Sequence, residues 1–352
     1  MIYLSKGPST LYSSLLRRNQ NAELSNALSR AEQELSTGYK ADIYKSIGLG
    51  ATEALSLNAT LDRDEAQAAV NKLTLSRLEM MTQSLGTMRE SLQDVLDIGI
   101  ANSTYATAAS SGIQVAAKAA LESLIGQAAQ AYGGTALFAG TSNASNALQP
   151  WDEAQADSGL SPAGVFANLL SGGLNSQADV DAALAEIDAM FSDSATDPDT
   201  NYQSLIYNGS VGNAPARANL GDGVSVAYGV QADNEAFRQV VKGLAMLASI
   251  DPAEIGDDEA YASWVGTAVS TLSAGQAGLL DSETQLSTLS ARLESQNTRI
   301  ADRAILYKTR LLELDGVDAY EAASNVTSLQ AQLEASYTVT SRLSQLSFLN
   351  YM

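Results

Sequence analysis

Carboxylates are the only abundant acid–base groups in this sequence of 352 residues, which contains 40 Asp and Glu but neither His nor Cys. The absence of His removes the commonest general base and the usual protein ligand of transition metals. The absence of Cys excludes a disulfide framework. A pair of Asp or Glu side chains can hydrolyse a glycosidic bond, so the composition leaves that chemistry open.

Two kinds of short segment could be taken for ligand sites, but neither has the residues that such a site needs. The segment from Asp193 begins like a calcium-binding loop, yet it has Pro198 where the loop needs Gly and Ser204 where it needs a bidentate Glu. The segments GTSNASN and YNGSVGN lack the Lys and the following hydroxyl residue of a phosphate-binding loop. We therefore expect no catalytic residue, no metal site and no cofactor.

The charge and hydropathy of the chain restrict its partners. A formal net charge of −20 repels phosphate backbones, so we expect no nucleic-acid partner. No run of about 18 consecutive apolar residues occurs, so we expect no membrane span. The N-terminal segment shows no apolar run followed by a small-residue cleavage site, so we expect no cleaved signal peptide.

Proline and charge set the middle of the chain apart from its two ends. Residues 9–149 and 253–352 contain no proline and can form long helices, whereas 141–265 contains five of the six prolines. Residues 151–260 also carry 18 acidic side chains against three basic ones. We expect the middle to be a separate, acidic module inserted between helical segments.

The middle module combines strand and helix signals. Its segment SLIYNGSVGNAPARANLGDGVSVAYGVQ alternates β-favouring residues with Asn-Gly and Asp-Gly pairs, which predicts small β-hairpin elements. The next segment, DNEAFRQVVKGLAMLASI, has helical spacing, and Asp233 is its predicted N-cap. The module is therefore predicted to be α+β.

Outside the middle module, apolar residues recur at steps of mostly three and four in four segments. The spacing fits the core of an intramolecular bundle and also contacts between subunits, and it leaves both open. The predicted fold class is mainly α, with long terminal helices that pair as a coiled coil or helical bundle and a smaller α+β insert. The four apolar seams are Leu24, Leu28, Ala31 and Leu35, ended by Gly38; Leu78, Met81, Leu85, Met88, Leu92 and Val95; Leu286, Leu289, Leu293, Gln296, Ile300, Ala304, Tyr307, Leu311 and Leu314; and Val326, Leu329, Leu333, Val339, Leu343 and Leu346.

Three segments resemble proteins of the bacterial flagellum. Residues 27–61, ALSRAEQELSTGYKADIYKSIGLGATEALSLNATL, resemble the N-terminal signature of flagellins and hook-associated proteins. Residues 131–150, which contain LFAGT, are similar to the hook–filament junction branch of this flagellin-like family. Residues 315–352 are similar to the same branch and end in LSFLNYM.

The resemblance implies a flagellin-like fold in three parts. Residues 1–44 and 316–352 would form a terminal helical domain near the axis of a tubular assembly, disordered in the monomer and ordered on assembly. Residues 45–140 and 266–315 would form a helical bundle, the rod domain. Residues 141–265 would form the α+β outer insert domain.

The resemblance also implies which residues meet other proteins. The assembly interface would comprise Leu24, Leu28, Ala31, Leu35, Val326, Leu329, Leu333, Val339, Leu343 and Leu346. A flagellar export chaperone would dock on Leu329, Leu333, Leu343 and Leu346.

The implied function is structural, without enzyme activity. The chain would form a homo-oligomeric ring that joins the hook, through hook-associated protein 1, to the flagellin filament and so serves motility. It would be secreted by the flagellar type III export system and lie at the extracellular hook–filament junction.

Three other functions stay open at this point. The chain could be a short flagellin that polymerises along the filament. It could be a secreted carboxylate-type glycan hydrolase on a flagellar scaffold, which would need a paired Asp/Glu pocket in the insert. It could also be a coiled-coil adhesin that binds a host surface.

Overall fold

The chain is mainly helical, which confirms the predicted fold class. The structure, a computed structural model, describes residues 10–42, 48–107, 110–192, 197–212, 216–221 and 224–349. The α-helices are α1 (Thr10–Thr37), α2 (Ala51–Ala101), α3 (Ser111–Ala128), α4 (Pro162–Leu169), α5 (Gln177–Phe191), α6 (Tyr202–Leu205), α7 (Glu235–Ser249), α8 (Asp258–Asp315) and α9 (Ala319–Leu349). Short 3-10 helices cover Gly48–Gly50 and Pro252–Glu254.

The strands of the described residues form short antiparallel pairs. β1 (Ala131–Tyr132) pairs with β2 (Thr135–Ala136), and β3 (Arg217–Gly221) pairs with β4 (Val224–Ala227). The β3–β4 pair confirms the hairpin predicted around the Asp-Gly sequence, whose residues 222 and 223 lie outside the described part. Residues 193–196, which begin the segment rejected above as a calcium loop, also lie outside it.

The chain divides into two compact units. Unit 1 comprises Met1–Ala66 and Arg299–Met352, and unit 2 comprises the continuous segment Gln67–Thr298. The boundaries fall inside α2 and α8, the two long helices that the proline-free segments permit. The division into a terminal, a rod and an insert domain stays a prediction.

Unit 2 has an extensive core, and the second seam lies at its centre. All six members of that seam, from Leu78 to Val95, have an exposed fraction of 0%. Unit 2 therefore uses this heptad pattern for its own interior. Helix α7 is also largely buried and contacts α3, α4 and α5.

Helix α7 also packs closely against α8, because α8 has glycines at the contact. A Cβ added to Gly275 would lie 2.7 Å from the backbone nitrogen of Val240, and one added to Gly278 would lie 2.7 Å from the Cβ of Ala236. The N-cap of α7 is Asn234, whose Oδ1 accepts a hydrogen bond from the Phe237 backbone N–H at 2.9 Å. The prediction of Asp233 as N-cap was wrong by one residue.

An aromatic cluster supports the loop that follows β2. Trp151 packs on Phe166 with ring centroids 5.3 Å apart, and Phe166 in turn contacts Phe191 at 6.4 Å. The Trp151 carbonyl accepts a hydrogen bond from the Ala163 N–H at 2.9 Å. These contacts fix Trp151 at the surface of unit 2, where its side chain is half-buried.

Candidate self-assembly interface

The two terminal helices of unit 1 lie side by side and antiparallel. Asn21 of α1 hydrogen-bonds to Ser336 of α9, whereas Tyr39, just after α1, forms an antiparallel bridge with Gly316, just before α9. Residues near the end of α1 therefore lie beside the start of α9, and residues nearer the middle of α1 lie beside later residues of α9. The pairing stabilises both helices, because most of the stability of a helix in a protein comes from packing against other elements.

The end of α1 is attached to the turn between α8 and α9. Gly38 has a φ of +76°, a conformation that favours glycine, and its N–H donates to the Glu34 carbonyl at 2.9 Å. The Gly38 carbonyl accepts from the Val317 N–H at 3.0 Å, and the Asp315 carbonyl accepts from the Lys40 N–H at 3.0 Å. The predicted helix end at Gly38 is confirmed, and it is also a point of attachment between the two chain segments.

The residues predicted for the assembly interface differ widely in burial. Ala31 and Val326 are buried, with exposed fractions of 7% and 9%, while Leu35 and Val339 are 40% and 52% exposed. The half-buried members are Leu24, Leu28, Leu329 and Leu333. The side chains of Leu343 and Leu346 lie outside the described part. The role of all ten residues in contacts between subunits stays a prediction.

Unit 1 exposes apolar side chains that the seam pattern did not identify. Among the described residues, 11 of the 19 exposed large apolar side chains belong to this unit. In the described part of this unit, the interior cluster between α2 and α8 has three buried members, Ala54, Leu61 and Leu311. The exposed residues that the sequence analysis missed are Tyr12, Leu15, Leu16, Leu55, Ile305, Leu306, Leu312, Tyr320 and Tyr337.

Ile305 and Leu312 form an outward stripe on α8. They are seven residues apart, hence on one face of the helix, and are 63% and 55% exposed. The inward face of the same helix segment carries Ile300 and Leu311, which are each 4% exposed. A signal for the outward stripe was present in the sequence, because these two apolar residues fall between the positions of the third seam.

Ion pairs fix the register of α2 and α8 within unit 1. Arg303 donates two hydrogen bonds to the carboxylate of Asp64, at 2.7 Å and 2.6 Å, and Asp64 is only 6% exposed. Arg310 donates a hydrogen bond to the Glu53 carboxylate at 2.8 Å. This hydrogen bond is the main reason why the pKa of the Arg310 guanidinium is raised. The bidentate Asp64–Arg303 pair has the geometry that gives a charge pair orientational specificity.

Asp315, the last residue of α8, is a buried carboxylate at the attachment point. Its exposed fraction is 3%, and its Oδ1 has no hydrogen-bond partner among the described residues. Burial raises the pKa of this carboxyl above its usual range, the charge of Glu34 adds to the effect, and the Lys40 ammonium opposes it.

None of the helices in the described ranges has the length and hydropathy that a membrane crossing requires.

A search of curated proteins found no match to the chain.

One protein-family comparison matches the C-terminal part of the chain. The matched family is the bacterial flagellin C-terminal helical region, and the match covers residues 264–352, about a quarter of the chain. This segment contains all of α9 and α8 from Trp264 onward, including the outward stripe. The helices that expose apolar surface in unit 1 are therefore, in this part of the chain, similar to the C-terminal helices of bacterial flagellin.

Proposed function

We propose that this chain is a structural subunit of the bacterial flagellum that assembles with further copies of itself through unit 1. The observation that carries the proposal is the apolar surface of unit 1, which lies partly within the segment that matches flagellin. Contiguous apolar surface that a single chain leaves exposed marks a contact with another protein, and the outward stripe places two exposed apolar side chains on one face of α8. Burying it contributes about 25 cal/mol per Å².

The small interior of unit 1 supports the same proposal. Among the described residues, the terminal helices bury only Ala31 on α1 and Ala322 and Val326 on α9, too few to offset the conformational entropy of ordering both helices at about 1–2 kcal/mol per residue. Contacts with neighbouring copies would supply the missing burial. Disorder of these helices in the unassembled subunit remains part of the proposal.

Within the flagellum, we propose the hook–filament junction as the location. The support is the similarity of 131–150 and 315–352 to the junction branch of the family. In that position the chain would form a ring between hook-associated protein 1 and flagellin, outside the cell, after export by the flagellar type III system. The three-part division of the chain, with 141–265 as outer domain, belongs to this proposal.

An export chaperone would bind the C-terminal helix before assembly. Leu329 and Leu333 are half-buried on α9, so part of each side chain is accessible. Substituting Leu329, Leu333, Leu343 and Leu346 by Ser should abolish chaperone binding in a pull-down titration, and an unchanged affinity would remove the chaperone from the proposal.

A short flagellin is the second candidate function. The family match supports this candidate as much as the junction protein, because a match to the flagellin C-terminal helical region does not distinguish the two. The two candidates differ in location, since a flagellin lies along the whole filament and a junction protein lies at one end of it.

Immunogold electron microscopy of intact flagella tests the proposal. Antibody raised against 151–260, the acidic middle segment, should label only the boundary between hook and filament. Label along the filament would establish the flagellin alternative. If no label appears, mass spectrometry of sheared filaments shows whether the flagella contain the protein. If they do, the segment 151–260 is inaccessible to the antibody, and a second antibody against 67–100 then determines the location. No protein in the flagella at all would overturn both candidates.

A further inference from the structure

Trp151 lines a surface cleft of about 250 Å³ in unit 2. The cleft lies among α3, the loop that contains Trp151, α4 and the C-terminal end of α7. Its polar side chains are Lys118 and Glu122 of α3, Asp152 next to Trp151, and Ser249 of α7. Phe166 packs on Trp151 and holds the indole in place.

Three charged side chains of the cleft have no partner in the described part of the chain. Among the described residues, Lys118, Glu122 and Asp152 form no side-chain hydrogen bond and no ion pair, and each is exposed. By contrast, Lys242 and Asp188, which line a different cleft, are bound to each other. The donors and acceptors around Trp151 are thus available to a ligand.

We propose that this cleft binds the ring of a neutral sugar. An indole supplies a flat apolar surface that one face of a sugar ring can cover. The hydroxyl groups of a sugar both donate and accept hydrogen bonds, so they can donate to the carboxylates of Glu122 and Asp152 and accept from the Lys118 ammonium. The volume is below the 300–1,000 Å³ typical of drug-sized ligands, which suits one ring.

The charge of the cleft argues against anionic ligands. Its two carboxylates and one ammonium sum to −1, which repels an anion such as a uronic acid. A cation such as choline is attracted by the same charge, so choline is included among the probes, whereas a neutral ligand with many hydroxyl groups uses both the carboxylates and the ammonium as hydrogen-bond partners. The site involves only unit 2 and does not depend on assembly.

Tryptophan fluorescence of the full chain can detect such binding, because the chain has only two Trp residues and Trp264 is fully buried. The probes are glucose, galactose, N-acetylglucosamine and maltotriose, with glucuronic acid and choline for comparison. We expect a saturable change in emission with at least one neutral sugar. If a monosaccharide and maltotriose both saturate the change in emission, a single sugar ring is the ligand. If only maltotriose saturates it, further rings of a glycan chain also occupy the site.

Variants of the cleft separate binding from folding. Asp152→Asn and Glu122→Gln change exposed groups and should leave the thermal melt unchanged while weakening sugar binding about tenfold, as loss of a hydrogen bond to a charged group does. Saturation-transfer NMR should show contact between sugar and indole that Trp151→Phe weakens. Asp94→Asn, an exposed carboxylate elsewhere in unit 2, is the matched control and should bind as the parent does.

The proposal would be overturned if no neutral sugar saturates the signal, if only glucuronic acid or choline binds, or if Asp152→Asn and Glu122→Gln bind as tightly as Asp94→Asn.

Discussion

Asp315 shows how a single buried carboxylate links stability to pH. It is the last residue of α8, where the helix dipole disfavours negative charge, and burial raises its pKa above the usual range. The folded state therefore binds this proton more tightly than the unfolded state. The stability that this bound proton contributes is fully present below the pKa that Asp315 has in the unfolded chain. It is lost as pH rises through the pKa of Asp315 in the folded protein.

We predict that Asp315→Asn raises the melting temperature at neutral pH and that its advantage over the parent shrinks as pH falls toward 4. The amide removes the cost of the buried charge and keeps a similar shape. Thermal unfolding followed by circular dichroism between pH 4 and 8 measures this. Asp62→Asn, an exposed carboxylate of unit 1, is the control. An Asp315→Asn variant that is less stable than the parent at every pH would contradict the prediction.

At the scale of elements, the contact between α7 and α8 depends on a glycine. We predict that Gly275→Ala lowers the free energy of unfolding by about 1–3 kcal/mol, because the new Cβ meets the backbone of Val240, which cannot move aside. Gly266→Ala on the same helix has no atom within 4 Å of its new Cβ. It should raise stability by up to about 1 kcal/mol through helix propensity.

Urea denaturation of the two glycine variants measures the difference. If Gly275→Ala and Gly266→Ala stabilise the chain alike, α7 and α8 are not in close contact at Gly275.

The elements that the sequence predicted are those with local causes. Heptad spacing identified the Leu78–Val95 seam, and the Asp-Gly pair identified the β3–β4 hairpin, because both patterns are read from neighbours in sequence. The choice of Asn234 over Asp233 as N-cap depends on which side chain reaches the Phe237 N–H, and both residue types are good caps. The local sequence pattern therefore does not show which of the two residues caps α7.

The features that the sequence did not predict arise from contacts between distant segments. Asp315 is buried because Lys40 and Gly38 bond to the turn beside it. The Trp151 cleft requires α3, α4 and α7 to converge on one loop. The outward stripe of α8 was missed for another reason, since its two residues fall between the positions of the third seam and only the seam positions were considered.

At the scale of the molecule, the distribution of apolar surface predicts self-association through unit 1. Replacing Ile305 and Leu312 together by Gln should raise the concentration at which the chain assembles about tenfold or more, because the contact loses buried apolar area. The melting temperature of the monomer should change little, as both side chains are exposed. Sedimentation velocity over a concentration series measures the effect.

A double replacement in unit 2, Val115→Gln with Leu280→Gln, is the matched control, since these side chains are 68% and 46% exposed. Equal loss of assembly in the two double variants would mean that apolar surface in general, and not unit 1, drives association.

The bridge between Tyr39 and Gly316 also constrains the order in which the chain folds. Unit 2 is one uninterrupted segment, so all of its contacts become available once residue 298 has been made. Helix α1 is made early, but α9, the helix it pairs with, is made last. At about 5–20 residues per second, α1 therefore spends tens of seconds of synthesis without its pairing helix, and unit 2 is complete several seconds before α9 is.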